Sequence, residues 1–173
     1  MADIIGVFGG SGFYSLLDDA EEREISTPYG KPSSIVRVGK IGSREVAFLA
    51  RHGDRHEYPP HKVPFKANIW AMRELGVKRI LTTTACGSLK KEIKPGDFVI
   101  PDQFVNFTRR DDTFYDGPET VHISAADPYC PELRKALYET AKKNNLSVHS
   151  SGTVVVIQGP RFSSKAESNF FKN

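Results

Sequence analysis

The chain is short of cysteine, with only Cys86 and Cys130 among its 173 residues. Two thiols cannot build a disulfide framework, and neither sits in a Cys-x-x-Cys pair, so zinc-ribbon and dithiol redox chemistry fall away and both are expected to be reduced. Long apolar runs are missing too: none exceeds about six residues, against the ~20 needed to cross a bilayer. The N-terminus has no basic region leading into an apolar stretch. No membrane partner is expected, and a cytoplasmic location is. Charge of one sign is scarce as well, with a net charge of +3 and basic residues set among acidic ones, as in Glu21-Glu22-Arg23-Glu24 and Lys90-Lys91-Glu92. No basic stripe tracks a nucleic-acid backbone, so no nucleic-acid partner is expected. A small anionic ligand is compatible with this balance.

What is present suits one soluble core: 39% of the residues are apolar. Asp3 to Phe8 is a short apolar run that stops at a glycine cluster, as a buried strand entering a turn does. Ser33 to Val38 and Arg44 to Leu49 are β-rich and joined through Gly39-Lys40-Ile41-Gly42, which predicts a hairpin. Pro64 opens a helix in which Phe65, Ile69, Met72 and Leu75 recur every three or four residues before Gly76 ends it. Lys78 to Thr83 reads as a strand, and Lys94-Pro95-Gly96-Asp97 is a turn leading into Phe98-Val99-Ile100. Asn106 to Asp127 is polar and irregular, a surface excursion of the kind that carries binding residues. Pro131 to Asn144 is a helix, Thr153 to Ile157 a buried strand, and Ser163 to Phe171 a final helix in which Ser164 and Glu167 match a capping box. Alternating strands and helices predict an α/β fold, a central sheet with helices packed on it, in one domain over 1–173.

Four segments carry candidate chemistry. Gly9-Gly10-Ser11-Gly12 follows a strand, where glycines let successive backbone N–H groups face one anion and the Ser11 hydroxyl adds a donor; an ordinary tight turn uses the same residues. A dinucleotide fingerprint is excluded, because the third glycine is missing and no Asp or Glu occurs between Glu24 and Glu45. Arg51 and His52 lie at a strand end before Gly53, offering a fork-shaped cation and an imidazole to phosphate oxygens, or a salt-bridged loop. His52 and His56 have the spacing of metal ligands on a helix, but Gly53 and Asp54 disfavour a helix, and His61 brings no third ligand of suitable spacing, so no metal site is expected. Thr82 to Ser88 runs from a strand into small residues at what is usually the ligand edge of an α/β sheet. Gln158 to Ser164 is a rigid turn displaying Phe162, a ring suited either to the core or to stacking on a flat heterocycle.

Together these segments resemble the methylthioadenosine phosphorylase and purine nucleoside phosphorylase family. The resemblance runs through Gly-Gly-Ser-Gly at 9–12, Thr-Pro-Tyr-Gly-Lys-Pro-Ser at 27–33, Ala-Arg-His-Gly at 50–53 and Ala-Asn-Ile-Trp-Ala at 67–71. It continues through Thr-Thr-Ala-Cys-Gly-Ser-Leu at 83–89, Pro-Gly-Asp at 95–97, Phe-Tyr-Asp-Gly at 114–117 and Gly-Pro-Arg-Phe-Ser-Ser-Lys-Ala-Glu-Ser at 159–168. It covers essentially the whole chain. It implies a mixed, twisted central sheet of nucleoside phosphorylase type and phosphate-dependent cleavage of 5'-methylthioadenosine to adenine and 5-methylthioribose 1-phosphate. The alternatives are phosphorolysis of inosine, guanosine or methylthioinosine, or a non-catalytic paralogue. By resemblance Ser11, Arg51, His52, Thr84 and the Ala85 backbone bind phosphate, Phe162 lies against the purine, and His122 reaches the 5' substituent from a neighbouring subunit of a homotrimer. No metal or organic cofactor is implied, and inorganic phosphate is a co-substrate.

The family pattern continues with an Asn-Met-Thr stretch and a Thr-Asp-Tyr-Asp stretch, neither of which occurs here. The second supplies the carboxylate that assists departure of the purine, a general-acid role worth roughly 10²–10⁴-fold. The expectation is a fold incomplete at its C-terminus, with little or no phosphorolytic activity from the 173-residue chain alone.

Overall fold

The computed structural model describes residues 4–9 and 20–172, which form two compact units. The first unit spans Met1–Ala85 and Asp111–Phe114. It contains strands β1 (Ile5–Gly9), β2 (Glu21–Arg23), β3 (Val36–Ile41), β4 (Arg44–Ala50) and β5 (Arg79–Thr82), with helix α1 (Phe65–Glu74). The sheet order is β2-β3-β4-β1-β5. β4, β1 and β5 are parallel, while β2, β3 and β4 pair antiparallel, so the sheet is mixed as expected.

Residues Val46 to Ala50 of β4 are all buried, as a strand covered on both faces requires. Ala47 and Leu49 join Val36, Val38 and the α1 residues Ala71 and Met72 in one apolar cluster. The hairpin closes one turn later than the glycine pattern predicted. Gly39 is paired with Val46 inside the ladder, and the reversal is made by Gly42 and Ser43 beyond the Ile41–Arg44 pair. Gly42 takes φ +59°, the left-handed region a two-residue hairpin turn demands.

The second unit spans Cys86–Arg110 and Tyr115–Asn173. Here β6 (Phe98–Val99) pairs parallel with β8 (Val148–His149), and β7 (Gln103–Phe107) pairs parallel with β9 (Thr153–Ile157). Helix α2 (Pro131–Lys143) begins with Pro131 and Glu132 and ends with Lys142 and Lys143, matching its charges to the helix dipole. Helix α3 (Lys165–Phe171) carries the predicted capping box: the Ser164 hydroxyl accepts from the Glu167 amide while the Glu167 carboxylate accepts from the Ser164 amide.

The Lys94–Asp97 turn is locked by its last residue. Asp97 Oδ2 accepts from the Lys94 amide and from His149 Nε2, both at 2.9 Å. Bonds from Ser147, His149 and the Lys94 backbone hold the Asp97 carboxyl well below the usual carboxylate range. A carboxyl lowered by folding stabilises the fold fully above its ordinary value of 3.8, and that contribution drains away as pH falls below it. Asp97→Asn is therefore expected to lose stability at neutral pH and to flatten the fall in unfolding midpoint between pH 6 and pH 3. Denaturant unfolding at several pH values checks this; an unchanged acid-side slope would refute the role.

Candidate functional site

The three parallel strands end side by side. Gly9 pairs with Ala50 and Phe8 with Thr82, so the residues after β1, β4 and β5 emerge together at the carboxyl edge of the sheet. In open α/β sheets ligands bind at this edge. Gly10, Ser11 and Gly12 follow the middle strand, and they lie outside the described residues.

Arg51 follows β4 directly. Its amide donates to the Gly9 carbonyl at 3.0 Å, extending the β4–β1 ladder by one bond. Its guanidinium donates to Thr82 Oγ1 at 3.3 Å and to the Thr83 carbonyl at 3.0 Å. The side chain thus reaches across the end of β1 to the end of β5. Thr84 and Ala85 come next along that strand exit, both exposed. In the sequence Arg51 and Thr84 stand at separate strand ends; the sheet order brings them to one edge.

His52 is fixed by its neighbours. Its Nδ1 lies 2.8 Å from the Tyr58 carbonyl, which only accepts, so Nδ1 carries the proton and Nε2 is left as the ring's other polar atom. The Tyr58 amide returns a bond to the His52 carbonyl at 2.9 Å. The His52 and His56 rings stack with centroids 4.7 Å apart. Among the described residues no three His, Cys, Asp or Glu side chains gather into a potential metal site.

The loop between the two histidines turns at Gly53, whose φ of +84° is left-handed and where a Cβ would collide with the Glu57 carboxylate. Asp54 is tied back to the sheet by Arg37 at 2.7 Å, and Arg37 also reaches Glu22 at 3.3 Å. The bond to Asp54 is the main cause that raises the Arg37 guanidinium above its ordinary value.

A second set of residues, to which no sequence motif assigns a functional role, supports the end of β4. The Ser33 hydroxyl donates to the Ala50 carbonyl at 2.7 Å, and the Ala50 amide donates to Ser34 Oγ at 3.0 Å. Asn68 of α1 accepts from the Ser33 amide at 2.8 Å and donates to Ser33 Oγ at 3.0 Å. One signal for Asn68 is in the sequence: it sits four residues before Met72 on the apolar face of α1, where a polar side chain needs a buried partner.

Phe162 and His122 belong to the second unit, and both are exposed. Phe162 is 96% exposed, so it is no core residue. Its turn is held by Arg161, which makes two 2.7 Å bonds to the Glu167 carboxylate and a third, at 3.0 Å, to the Phe162 carbonyl. Arg161 first and the Ser164 amide second lower the Glu167 carboxyl from 4.5 to about 2. The Gly159-Pro160 peptide in this turn is cis. Among the described residues no helix is long and apolar enough to cross a membrane.

The model of the phosphorylase superfamily matches residues 4–173. An S-methyl-5'-thioadenosine phosphorylase of Thermococcus kodakarensis is 56% identical over 169 residues, covering 97% of this chain and 66% of that protein. The protein of the same name from Nitrosopumilus maritimus is 52% identical, over 97% of this chain and 65% of its own length. The chain thus spans about two thirds of the curated relatives it matches. Among solved structures, methylthioadenosine phosphorylase from Schistosoma mansoni in apo form superposes with a TM-score of 0.93 at 36% identity, covering 98% of this chain and 69% of that one. A double mutant of adenosine/methylthioadenosine phosphorylase from the same organism, in complex with adenine, gives a TM-score of 0.94 at 36% identity, with coverage of 98% and 69%.

Proposed function

Because the chain belongs to the phosphorylase superfamily, we propose that it carries the phosphate wall and the base-stacking ring of an enzyme that cleaves 5'-methylthioadenosine with inorganic phosphate. The products are adenine and 5-methylthioribose 1-phosphate. The observation that supports this reading most is Arg51, whose guanidinium spans the ends of three parallel strands beside Thr82 and Thr83.

A phosphate oxygen attacks the anomeric carbon as the bond to the purine nitrogen breaks, and that electron pair leaves with the base. The nucleophile is an anion that must lie in line with the breaking bond, so positioning and preorganised donors supply most of the acceleration. Arg51 offers two parallel N–H bonds to phosphate oxygens, Thr84 a hydroxyl, Ala85 its amide, and Ser11 a further hydroxyl. With Nδ1 committed to the Tyr58 carbonyl, the neutral His52 ring accepts from a protonated phosphate oxygen through Nε2, and the protonated ring donates to the dianion. None of these steps calls on a metal or an organic cofactor. The working assembly is a cytoplasmic homotrimer in which His122 lies near the 5' substituent of a neighbouring subunit's nucleoside.

A 6-aminopurine substrate is favoured over inosine or guanosine by the names of the relatives, which are methylthioadenosine or adenosine phosphorylases, and by the adenine complex. Titrations with inorganic phosphate and with 5'-methylthioadenosine test the proposal: both are expected to saturate at one site per chain. Binding of neither ligand overturns it. Phe162 gives a separate check. Stacking of a base on an aromatic ring is worth about 1–3 kcal/mol, so Phe162→Ala is expected to weaken adenine binding about fivefold or more. Because the ring is 96% exposed, the unfolding midpoint should stay where it was. Unaltered adenine affinity would remove Phe162 from the base site.

A further inference from the structure

We infer that Ser33, Ser34 and Asn68 are positioning residues that set the aim of Arg51, and so determine how tightly phosphate is held; the inference rests on the phosphate role of Arg51 proposed above. The hairpin register explains why side chains are needed. Arg37 pairs with Phe48, so continuing the antiparallel ladder by two residues would set Ile35 opposite Ala50. The chain leaves the ladder before that point, because β3 begins at Val36. Ala50 is completely buried, so its amide would otherwise lose its partner and its carbonyl would keep only the Gly53 amide. Two hydroxyls take over: Ser34 Oγ accepts from the Ala50 amide, and Ser33 donates to the Ala50 carbonyl, which also accepts from the Gly53 amide at 3.0 Å.

Each hydroxyl has one proton, and the arrangement uses each once. Ser34 donates to the Ile35 carbonyl at 3.1 Å while accepting from Ala50. Ser33 donates to Ala50 while accepting from Asn68 Nδ2. Asn68 Oδ1 accepts from the Ser33 amide, so only one orientation of the Asn68 amide satisfies both contacts. Ser33 is 4% and Asn68 2% exposed, so water has little access to replace either bond. The residue before Arg51 is therefore held on both its polar groups, and Arg51 itself is held by the Gly9 carbonyl. The root of the arginine side chain is thus held by backbone bonds, while its guanidinium is directed by the bonds to Thr82 and Thr83. A supporting shell of this kind keeps binding groups within the small tolerance that tight recognition needs.

The test is a double-mutant cycle read by calorimetric titration with inorganic phosphate, using the parent chain, Ser33→Ala, Arg51→Lys and the double variant. Residues sharing one network couple, so Ser33→Ala is expected to weaken phosphate binding about threefold or more in the parent. In the Arg51→Lys chain, which lacks the guanidinium fork, it should change binding little. Ser34→Ala, at a half-buried position, gives the same cycle if Ser33→Ala does not fold. Equal losses in both arginine backgrounds would mean general softening and overturn the inference, as would parent-like binding by folded Ser33→Ala or Ser34→Ala. A parent chain that binds no phosphate, or an Arg51→Lys chain that binds it as tightly as the parent, would instead show that the phosphate role of Arg51 is wrong.

Discussion

Replacing Arg51 with alanine is expected to weaken phosphate binding about tenfold or more, since a charge-assisted hydrogen bond contributes ~1.5–3 kcal/mol. The effect should be confined to the ligand. Arg51 is only partly buried, and the fold depends on its backbone amide to Gly9, which alanine keeps. The guanidinium bonds to Thr82 and Thr83 join groups at an exposed edge, so their loss should cost little stability. Calorimetry on the folded variant checks both halves. Parent-like affinity would remove the guanidinium from the phosphate site and leave it as a brace between two strand ends.

The second large effect concerns the support under that edge. Leu49 is fully buried in the cluster with Val36, Val38, Ala47, Ala71 and Met72, where the sheet meets α1. Leu49→Ala deletes three carbons from a packed core, and such changes cost 2–5 kcal/mol through lost transfer energy and the cavity left behind. For a domain stable by ~5–15 kcal/mol that is a large share. The urea midpoint should fall sharply, and phosphate binding should fail at the temperature where the variant unfolds. A loss under about 1 kcal/mol would show that the neighbouring side chains close the gap, or that the cluster is not the main support of β4.

The elements that were legible in the sequence are those specified locally. The α1 periodicity, the Pro131 start of α2, the Thr153–Ile157 run and the Ser164–Glu167 capping box all carry their own signals, and each forms its element, although the Thr153–Ile157 strand, expected to be buried, is exposed at Thr153 and only half-buried at the other four residues. The elements that escaped are specified by distant partners. β2 is three charged or polar residues, Glu21 to Arg23, exposed at the sheet edge and visible only through its pairing with β3. β8 is two residues long and exists because β6 lies beside it. β7 runs to Phe107 and includes Asn106, where the composition predicted the start of an irregular excursion; pairing with β9 overrides that composition.

The hairpin shows the same division. Ser33 and Ser34 look like the start of a strand because they are followed by β-branched residues, yet their hydroxyls do the pairing that the strand backbone would have done. Of the candidate site, Arg51, His52 and Thr84 could be named from their motifs, but not the reach of Arg51 across β1, which follows from strand order. The proton on Nδ1 of His52 depends on the Tyr58 carbonyl, set by a turn whose geometry the sequence only hints at through Gly53.

The most direct test of a phosphate site at these strand ends is an amide-resolved NMR titration of the chain with inorganic phosphate. The expected result is one saturable set of shifts centred on Gly9, Arg51 to Gly53 and Thr83 to Ala85, weakened in parallel by Arg51→Ala. Shifts that never saturate, or that fall on scattered surface lysines and leave those three strand ends unmoved, would contradict the account.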